Sequence, residues 1–204
     1  FFKPVDNNYS QVLSEIGYQD FILTVSHLYP YKNIELLIDS YYHLKLHERG
    51  LYILIAGSIS DERYYKKLKL IVDKYGISKY VIFLGRLEIK ELRELYSKCK
   101  IFVFTSPFEN FAYTLVEAMS CGTAIIAAES TAMPETCMNA ALYFDPYSSD
   151  ELCQQMNYFL SDNSLLKEYK KRALKRSKEI NTYQEANFKT LQIVQSLIQD
   201  KKEP

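Results

Sequence analysis

Short, mostly apolar runs separated by amphipathic stretches recur along the chain, and this alternation most limits the folds open to it. The runs fall at 21–26 (FILTVS), 51–56 (LYILIA), 80–84 (YVIFL), 101–105 (IFVFT), 124–128 (AIIAA) and 141–144 (ALYF). Their continuous apolar character, rich in β-branched and aromatic side chains, is that of strands buried on both faces. Between them, Ile34, Leu37, Ile38, Tyr41 and Leu44 follow the three-four spacing of a helix with one buried face. Tyr64, Leu68, Ile71, Val72 and Tyr75 do the same, and Gly50 and Gly76 close these two helices. Leu92, Leu95 and Tyr96 mark a shorter third helix; 111–120, closed by Gly122, marks a fourth. Parallel strands need such crossovers, whereas antiparallel neighbours need only tight turns.

The expected fold is therefore α/β, a Rossmann-like doubly wound parallel sheet of about six strands flanked by helices. Residues 1–20 show weak periodicity and read as a linker, with the sheet domain over 21–180. Asp145-Pro146 breaks the chain, after which Leu152, Met156 and Leu160, then 165–179, then 184–198 read as helical. In the last of these, Phe188, Leu191, Val194, Leu197 and Ile198 form an apolar stripe, so 181–204 reads as a helical C-terminal tail.

The chain has 25 basic and 25 acidic side chains and no formal net charge, which argues against a broad electrostatic grip on nucleic acid. No apolar run approaches the ~20 residues of a membrane-spanning helix. The opening FFKPVDNNYS lacks the basic-then-apolar pattern of a secretory signal. Cys99, Cys121, Cys137 and Cys153 form no C-x-x-C pair and have no His at metal-ligand spacing. They read as reduced thiols of a cytosolic protein, with no metal site. The 18 tyrosines and 11 phenylalanines are spread over strands and helix faces, so most belong to the core.

Neither a G-x-G-x-x-G after the first strand nor a G-x-x-x-x-G-K-[ST] occurs. Open parallel sheets bind ligands outside the carboxyl ends of their strands, where loops run into helix N-termini. Two such loops carry suggestive residues. Lys32 and Asn33 follow the first strand at the entrance to its helix, where a Lys can set a point charge on a diphosphate. The plain alternative is a solvated lysine in a first helical turn. After the fourth strand comes Ser106-Pro107-Phe108-Glu109-Asn110, with Glu109 and Glu117 separated by seven residues. One carboxylate can accept from both hydroxyls of a ribose, as in dinucleotide sites. Glu117 on the helix is placed for that, and Glu109 for the reacting end of a ligand. The peptide N–H groups of Asn110, Phe111, Ala112, Tyr113 and Thr114 open a helix N-terminus, which favours an anion. Two solvated glutamates are the ordinary alternative, yet Glu109 sits in the apolar run PFENFAY, where an ionised group needs a partner.

TSPFENFAYTLVEAMSCGTAIIAAESTAMPE resembles the central signature of retaining glycosyltransferases of family 4, whose GT-B architecture sets two Rossmann-like domains face to face. ILTVSHLYPYKNIELLIDSYYHL, LYILIAGS, VIFLGRL…ELYSKCKIFVFTS and AALYFDPYSSDELCQQM resemble further segments of that family, in order, over about 160 residues. The resemblance implies a site for a nucleoside-diphosphate sugar such as a UDP- or GDP-sugar. Glu117 would bind the ribose and Glu109 would touch the donor sugar. Lys32, with Asn33 beside it, would hold the diphosphate, the backbone from Asn110 to Thr114 would hold sugar and diphosphate, and Arg86 and Leu87 would border the base. Catalysis would rest on Glu109 and Lys32. No metal and no other cofactor is expected, because Lys and helix dipoles stabilise the leaving diphosphate. The implied reaction is transfer of a hexose-type sugar, with retention, to a glycan or lipid-linked acceptor.

Three departures accompany the likeness. His27 stands where the family usually has Arg, and a histidine is only partly charged near neutral pH. Ala112 stands where the family usually has Gly, which narrows backbone freedom and would crowd the sugar. FFKP resembles the end of the interdomain linker, so the acceptor-binding N-terminal half is expected to lie outside these residues, with helix 181–204 crossing back to it. The fragment alone would then be inactive, and the whole protein cytoplasmic, peripheral on the membrane face if its acceptor is lipid-linked. The competing reading is a non-catalytic GT-B-like module that binds a nucleotide sugar or a partner. An epimerase or phosphorylase of the same architecture is a weaker third, since the pyridoxal-phosphate lysine of phosphorylases lies on a longer domain.

Overall fold

The computed structural model describes residues 2–5, 11–17, 19–180 and 190–193. Apart from 190–193, which are helical, the tail expected at 181–204 lies outside the described residues. In chain order the elements begin with α1 (Gln11–Glu15), β1 (Phe21–Val25), a 3-10 turn Pro30–Lys32, α2 (Ile34–His43) and a second 3-10 turn Leu46–Arg49. Then come β2 (Tyr52–Ala56), α3 (Glu62–Lys74), β3 (Val81–Gly85), α4 (Ile89–Lys98), β4 (Ile101–Phe104) and α5 (Tyr113–Ser120). The chain continues through β5 (Ile125–Ala128), α6 (Met133–Cys137), the 3-10 turn Met138–Ala140, β6 (Ala141–Phe144), α7 (Ser149–Ser161) and α8 (Asn163–Glu179).

The six strands form one parallel sheet in the order β3-β2-β1-β4-β5-β6. The expected doubly wound α/β fold is what the chain adopts. Every residue of β1, β4 and β5 is buried, as continuous apolar runs covered on both faces must be. Leu23 of β1 lies in register between Leu54 of β2 and Phe102 of β4. α2 packs on α3 and α7, while α5 packs on α4 and α8, so helices cover both sides of the sheet. Chain direction across the sheet reverses between β1 and β4. Open α/β sheets bind ligands at such a switch point, in the crevice outside the carboxyl ends of the two strands.

Local chemistry sets the helix starts. Asp61 accepts from the N–H groups of Arg63 and Tyr64 at 2.8 and 2.9 Å to cap α3. Ser148 caps α7, Asp162 caps α8, and Glu88 with Glu91 forms a capping box on α4. Such caps contribute about 1 kcal/mol each. At the end of β2, Gly57 has φ 142°, and a Cβ there would lie 1.8 Å from the Ser26 carbonyl oxygen. Only glycine lets the ends of β1 and β2 come this close, and the contact continues as Leu28 N–H donates to Ser58 O at 2.9 Å.

Two features differ from the pattern read in the sequence. Gln11–Glu15, expected within a plain linker, form one helical turn, and Leu13 within it and Ile16 just after it are buried in the core; five residues are too few to show a period. α6 and the 3-10 turns are likewise shorter than one recognisable repeat. Cys99, Cys121 and Cys137 are free and buried, and burial pushes their thiols up to about 12, 11 and 12, so they are inert near neutral pH. Among the described residues no helix is long and apolar enough to cross a membrane, and no group of three or more His, Cys, Asp or Glu is arranged to hold a metal ion.

Candidate functional site

The loop after β1 ends in the Pro30–Lys32 turn and then Asn33, whose φ of 53° and ψ of 41° put it in the left-handed region that Asn tolerates. The Asn33 side chain donates through Nδ2 to Pro146 O at 2.8 Å, tying this loop to the one after β6. The Lys32 carbonyl accepts from Thr105 Oγ1 at 2.7 Å, so the buried residue following β4 fixes the lysine backbone. The Lys32 ammonium is paired with the Glu109 carboxylate and stands 4.7 Å from the centre of the Tyr31 ring. Both side chains of the pair are largely covered, at 12% and 17% exposed. Glu109 thus has the partner that its apolar surroundings require.

The loop that carries Glu109 is held from β5. Ser130 Oγ donates to Pro107 O at 2.6 Å, and the Glu109 N–H donates to Thr131 Oγ1 at 3.1 Å. α5 then begins without a side-chain cap. The N–H groups of Leu115 and Val116 both turn to Ala112 O, at 3.0 and 3.4 Å. Those of Asn110, Phe111, Ala112, Tyr113 and Thr114 meet no acceptor among the described residues. A bare helix start beside a lysine is a site for an anion. Ala112 has φ −92° and a buried methyl group, so this backbone does not need glycine, and the methyl does not stand in the open crevice.

One oxygen of Glu117, Oε2, accepts from the Tyr96 hydroxyl at 3.0 Å. Burial pushes the Glu117 carboxyl above its ordinary range, and the Tyr96 bond partly counters this. The other oxygen makes no hydrogen bond among the described residues and, in this half-buried side chain, is not fully shut off from solvent. The two glutamates therefore differ: Glu109 is matched to a cation, Glu117 to a neutral phenol.

Lys32, Asn33, Glu109 and the Asn110–Thr114 backbone come together at the β1/β4 crevice. No hydrogen bond or ion pair joins His27, Arg86 or Leu87 to them among the described residues. His27 is exposed, with Ser60 Oγ 3.5 Å from its Nδ1. Arg86 is exposed and Leu87 half-buried just past β3, at the edge of the sheet. Two strand intervals separate β3 from β1, roughly 10 Å. Ligand groups would have to span that gap. Exposed rings rim the same end of the sheet: Tyr29 and Tyr31 after β1, Phe108, Phe111 and Tyr113 after β4, and Tyr147 after β6.

Thr105, Tyr96, Ser130 and Thr131 support the site with little mark in the local sequence pattern. Their contacts join residues 73, 21, 23 and 22 positions apart, so no local spacing signals them. The one hint was a polar residue ending an apolar strand, Thr105.

The sequence profile of the family described as Glycosyl transferases group 1 matches residues 6–176. The serotype-specific mannosyltransferase WbdA of Escherichia coli is 34% identical over 160 residues, 78% of this chain and 20% of that protein. The O-antigen chain mannosyltransferase B of the same organism is 29% identical over 152 residues, 74% of this chain and 39% of that protein. The chain thus spans well under half the length of these relatives. Among solved structures, Alr3699/HepE from Anabaena in complex with UDP and glucose superposes with a TM-score of 0.85 at 22% identity, over 96% of this chain and 54% of that one. A C-terminal domain of a glycosyl transferase group 1 family protein (LpcC) from Francisella tularensis gives 0.74 at 20% identity, over 87% of this chain and 94% of that one.

Proposed function

The chain belongs to the glycosyl transferases group 1 family, and from that premise we propose that it is the donor-binding, C-terminal domain of a GT-B enzyme of glycosyltransferase family 4. Its substrate is a nucleoside-diphosphate sugar, and it moves a hexose, with retention, to a glycan or lipid-linked acceptor. The observation that carries this reading is the meeting of Lys32, Glu109 and the uncapped start of α5 at the sheet's switch point. The likeness in extent to the LpcC C-terminal domain supports the domain placement. The mannosyltransferase relatives make a mannosyl donor the first sugar to try.

In this reading the diphosphate lies across the start of α5 and takes Lys32 from Glu109. Negative charge grows on the leaving diphosphate as the bond to the sugar breaks, and the ammonium and helix N–H groups are already aimed at it. These fixed positive groups serve where other enzymes use a metal. Glu109, released, accepts from hydroxyls of the sugar. The exposed rings of Phe108, Phe111 and Tyr113 offer it an apolar wall. Glu117 accepts from the ribose, Asn33 steadies the Lys32 loop, and Arg86 and Leu87 border the base. His27 adds positive charge only when protonated.

Transfer needs a second domain that binds acceptor and closes over the donor, so these residues alone bind donor without turnover. A Campylobacter jejuni relative, 28% identical over 178 residues, is named for transfer to a diphospho-undecaprenol-linked sugar. By that analogy the acceptor is a lipid-linked sugar and the reaction takes place at a membrane face. Calorimetric titration with UDP, GDP, ADP and their mannosyl and glucosyl forms tests the reading. Saturable binding of one nucleoside diphosphate is expected; none, with native circular dichroism, counts against it. The exposed His27 in place of Arg favours a second reading, a binding module without turnover. Transfer by the full-length polypeptide that survives both Lys32→Ala and Glu109→Ala would remove this site from catalysis.

A further inference from the structure

We infer that Tyr96 is a positioning residue for ribose recognition: its phenol holds one oxygen of the Glu117 carboxylate so that the other is kept open to the ribose hydroxyls. The inference rests on the donor-site reading above and adds to it a group that never touches the ligand.

Tyr96 is wholly buried in the C-terminal half of α4. Its ring meets Phe102 of β4 edge-on at 5.3 Å and Phe2 at 5.9 Å. Its carbonyl accepts from Thr123 Oγ1 at 2.6 Å, so ring and backbone are both fixed. The hydroxyl therefore has one place to point, and that place is Glu117 Oε2, 3.0 Å away on the neighbouring helix. A glutamate side chain has three rotatable bonds, and ordering it costs on the order of 1–2 kcal/mol. Here that ordering is complete before any ligand arrives, which is what preorganisation means for affinity.

The surroundings leave this work to the phenol. Tyr96 from α4 makes the one hydrogen bond that the Glu117 carboxylate has among the described residues. The other titratable groups facing the pair are the thiols of Cys99 and Cys121, neutral near neutral pH, with Lys170 acting on Cys99 and Arg93 on Cys121. No salt bridge reaches the carboxylate among the described residues. Without the phenol, the buried carboxyl would lose the contact that favours its charged form and would be free to turn.

Tyr96→Phe keeps the ring and deletes only the hydroxyl. The test titrates wild type and variant with the tightest of UDP, GDP and ADP, and with its 2′,3′-dideoxy analogue. The variant should bind the ribonucleotide about tenfold more weakly and the dideoxy analogue as wild type does. In a Glu117→Gln background the same change should cost nothing further. Carboxyl carbon NMR of the ligand-free chain should show Glu117 titrating higher in Tyr96→Phe than in wild type. Equal loss for both nucleotides, or no loss, overturns the positioning role while leaving the donor site standing. Wild type that binds no nucleoside diphosphate removes the donor site and this inference with it.

Discussion

The Lys32 ammonium and the Glu109 carboxylate are paired across the crevice between β1 and β4, although 77 positions separate them in the chain. On the donor-site reading proposed above, the pair neutralises the cation that would meet a diphosphate. On that reading a donor displaces Glu109 from Lys32, and the same displacement frees Glu109 for the sugar. Binding of the two ends of the donor would then be coupled through one ion pair.

Opposite effects should follow from the two halves of that pair. Lys32→Ala removes a charge-assisted contact, worth about 1.5–3 kcal/mol, and should weaken nucleoside diphosphate binding by tenfold or more. Glu109→Gln frees Lys32, so affinity for the bare nucleoside diphosphate should hold or rise. The extra affinity contributed by the attached sugar should disappear. Calorimetry with diphosphate and sugar donor side by side measures both.

Thr105 is expected to matter through Lys32 alone. Thr105→Val deletes the 2.7 Å bond to the Lys32 carbonyl while keeping the shape of the side chain. A loss of about 1–2 kcal/mol in urea unfolding is expected from the orphaned group, together with weaker diphosphate binding. Thr105→Ser, which keeps the hydroxyl, should restore binding.

Gly57→Ala should be among the most damaging single-methyl changes. The added Cβ falls 1.8 Å from the Ser26 carbonyl oxygen in a backbone of φ 142°. Ser26 or Gly57 must move, at a cost of at least about 2 kcal/mol, and the β1 loop that carries Lys32 moves too. A lowered urea midpoint and weakened diphosphate binding are expected together.

Much of this was readable in advance. Periodicity exposed the six strands within a residue or two, because runs such as IFVF and IIAA must be covered on both faces. The apolar pattern over 111–120 starts two residues before the helix does: Phe111 and Ala112 continue the pattern but lie in the loop, and the helix begins at Tyr113. Lys32 and Glu109 were legible as residue types at strand ends, and the need of Glu109 for a partner followed from PFENFAY. That the partner is Lys32 was not legible, because strand order, which makes β1 and β4 neighbours, leaves no mark on local spacing. The same holds for Tyr96 and Glu117, brought together by the packing of α4 on α5.

The raised Glu117 carboxyl ties stability and binding to pH in opposite senses. Above its raised value the folded chain carries a partly buried charge that the unfolded chain solvates freely, so the charge lowers stability. As pH falls through that value the folded form takes up the proton first, and stability recovers. On the donor-site reading, ribose binding needs the charged form and falls over the same window. Glu117→Gln should melt higher than wild type at about pH 8, with the gap closing as pH falls toward the ordinary glutamate value of about 4.3. The binding lost in that variant should vary less with pH. Scanning calorimetry and titration at matched pH values check both halves.

Backbone amide NMR of the isotope-labelled chain, titrated with a nucleoside-diphosphate sugar, tests the donor site most directly. Shifts are expected at Lys32, Asn33 and Asn110 to Thr114, with smaller ones around Glu117 and Arg86, all saturating at one ligand concentration. Saturable binding whose shifts map to another face of the sheet, with the start of α5 unmoved, would contradict the assignment of this crevice as the donor site.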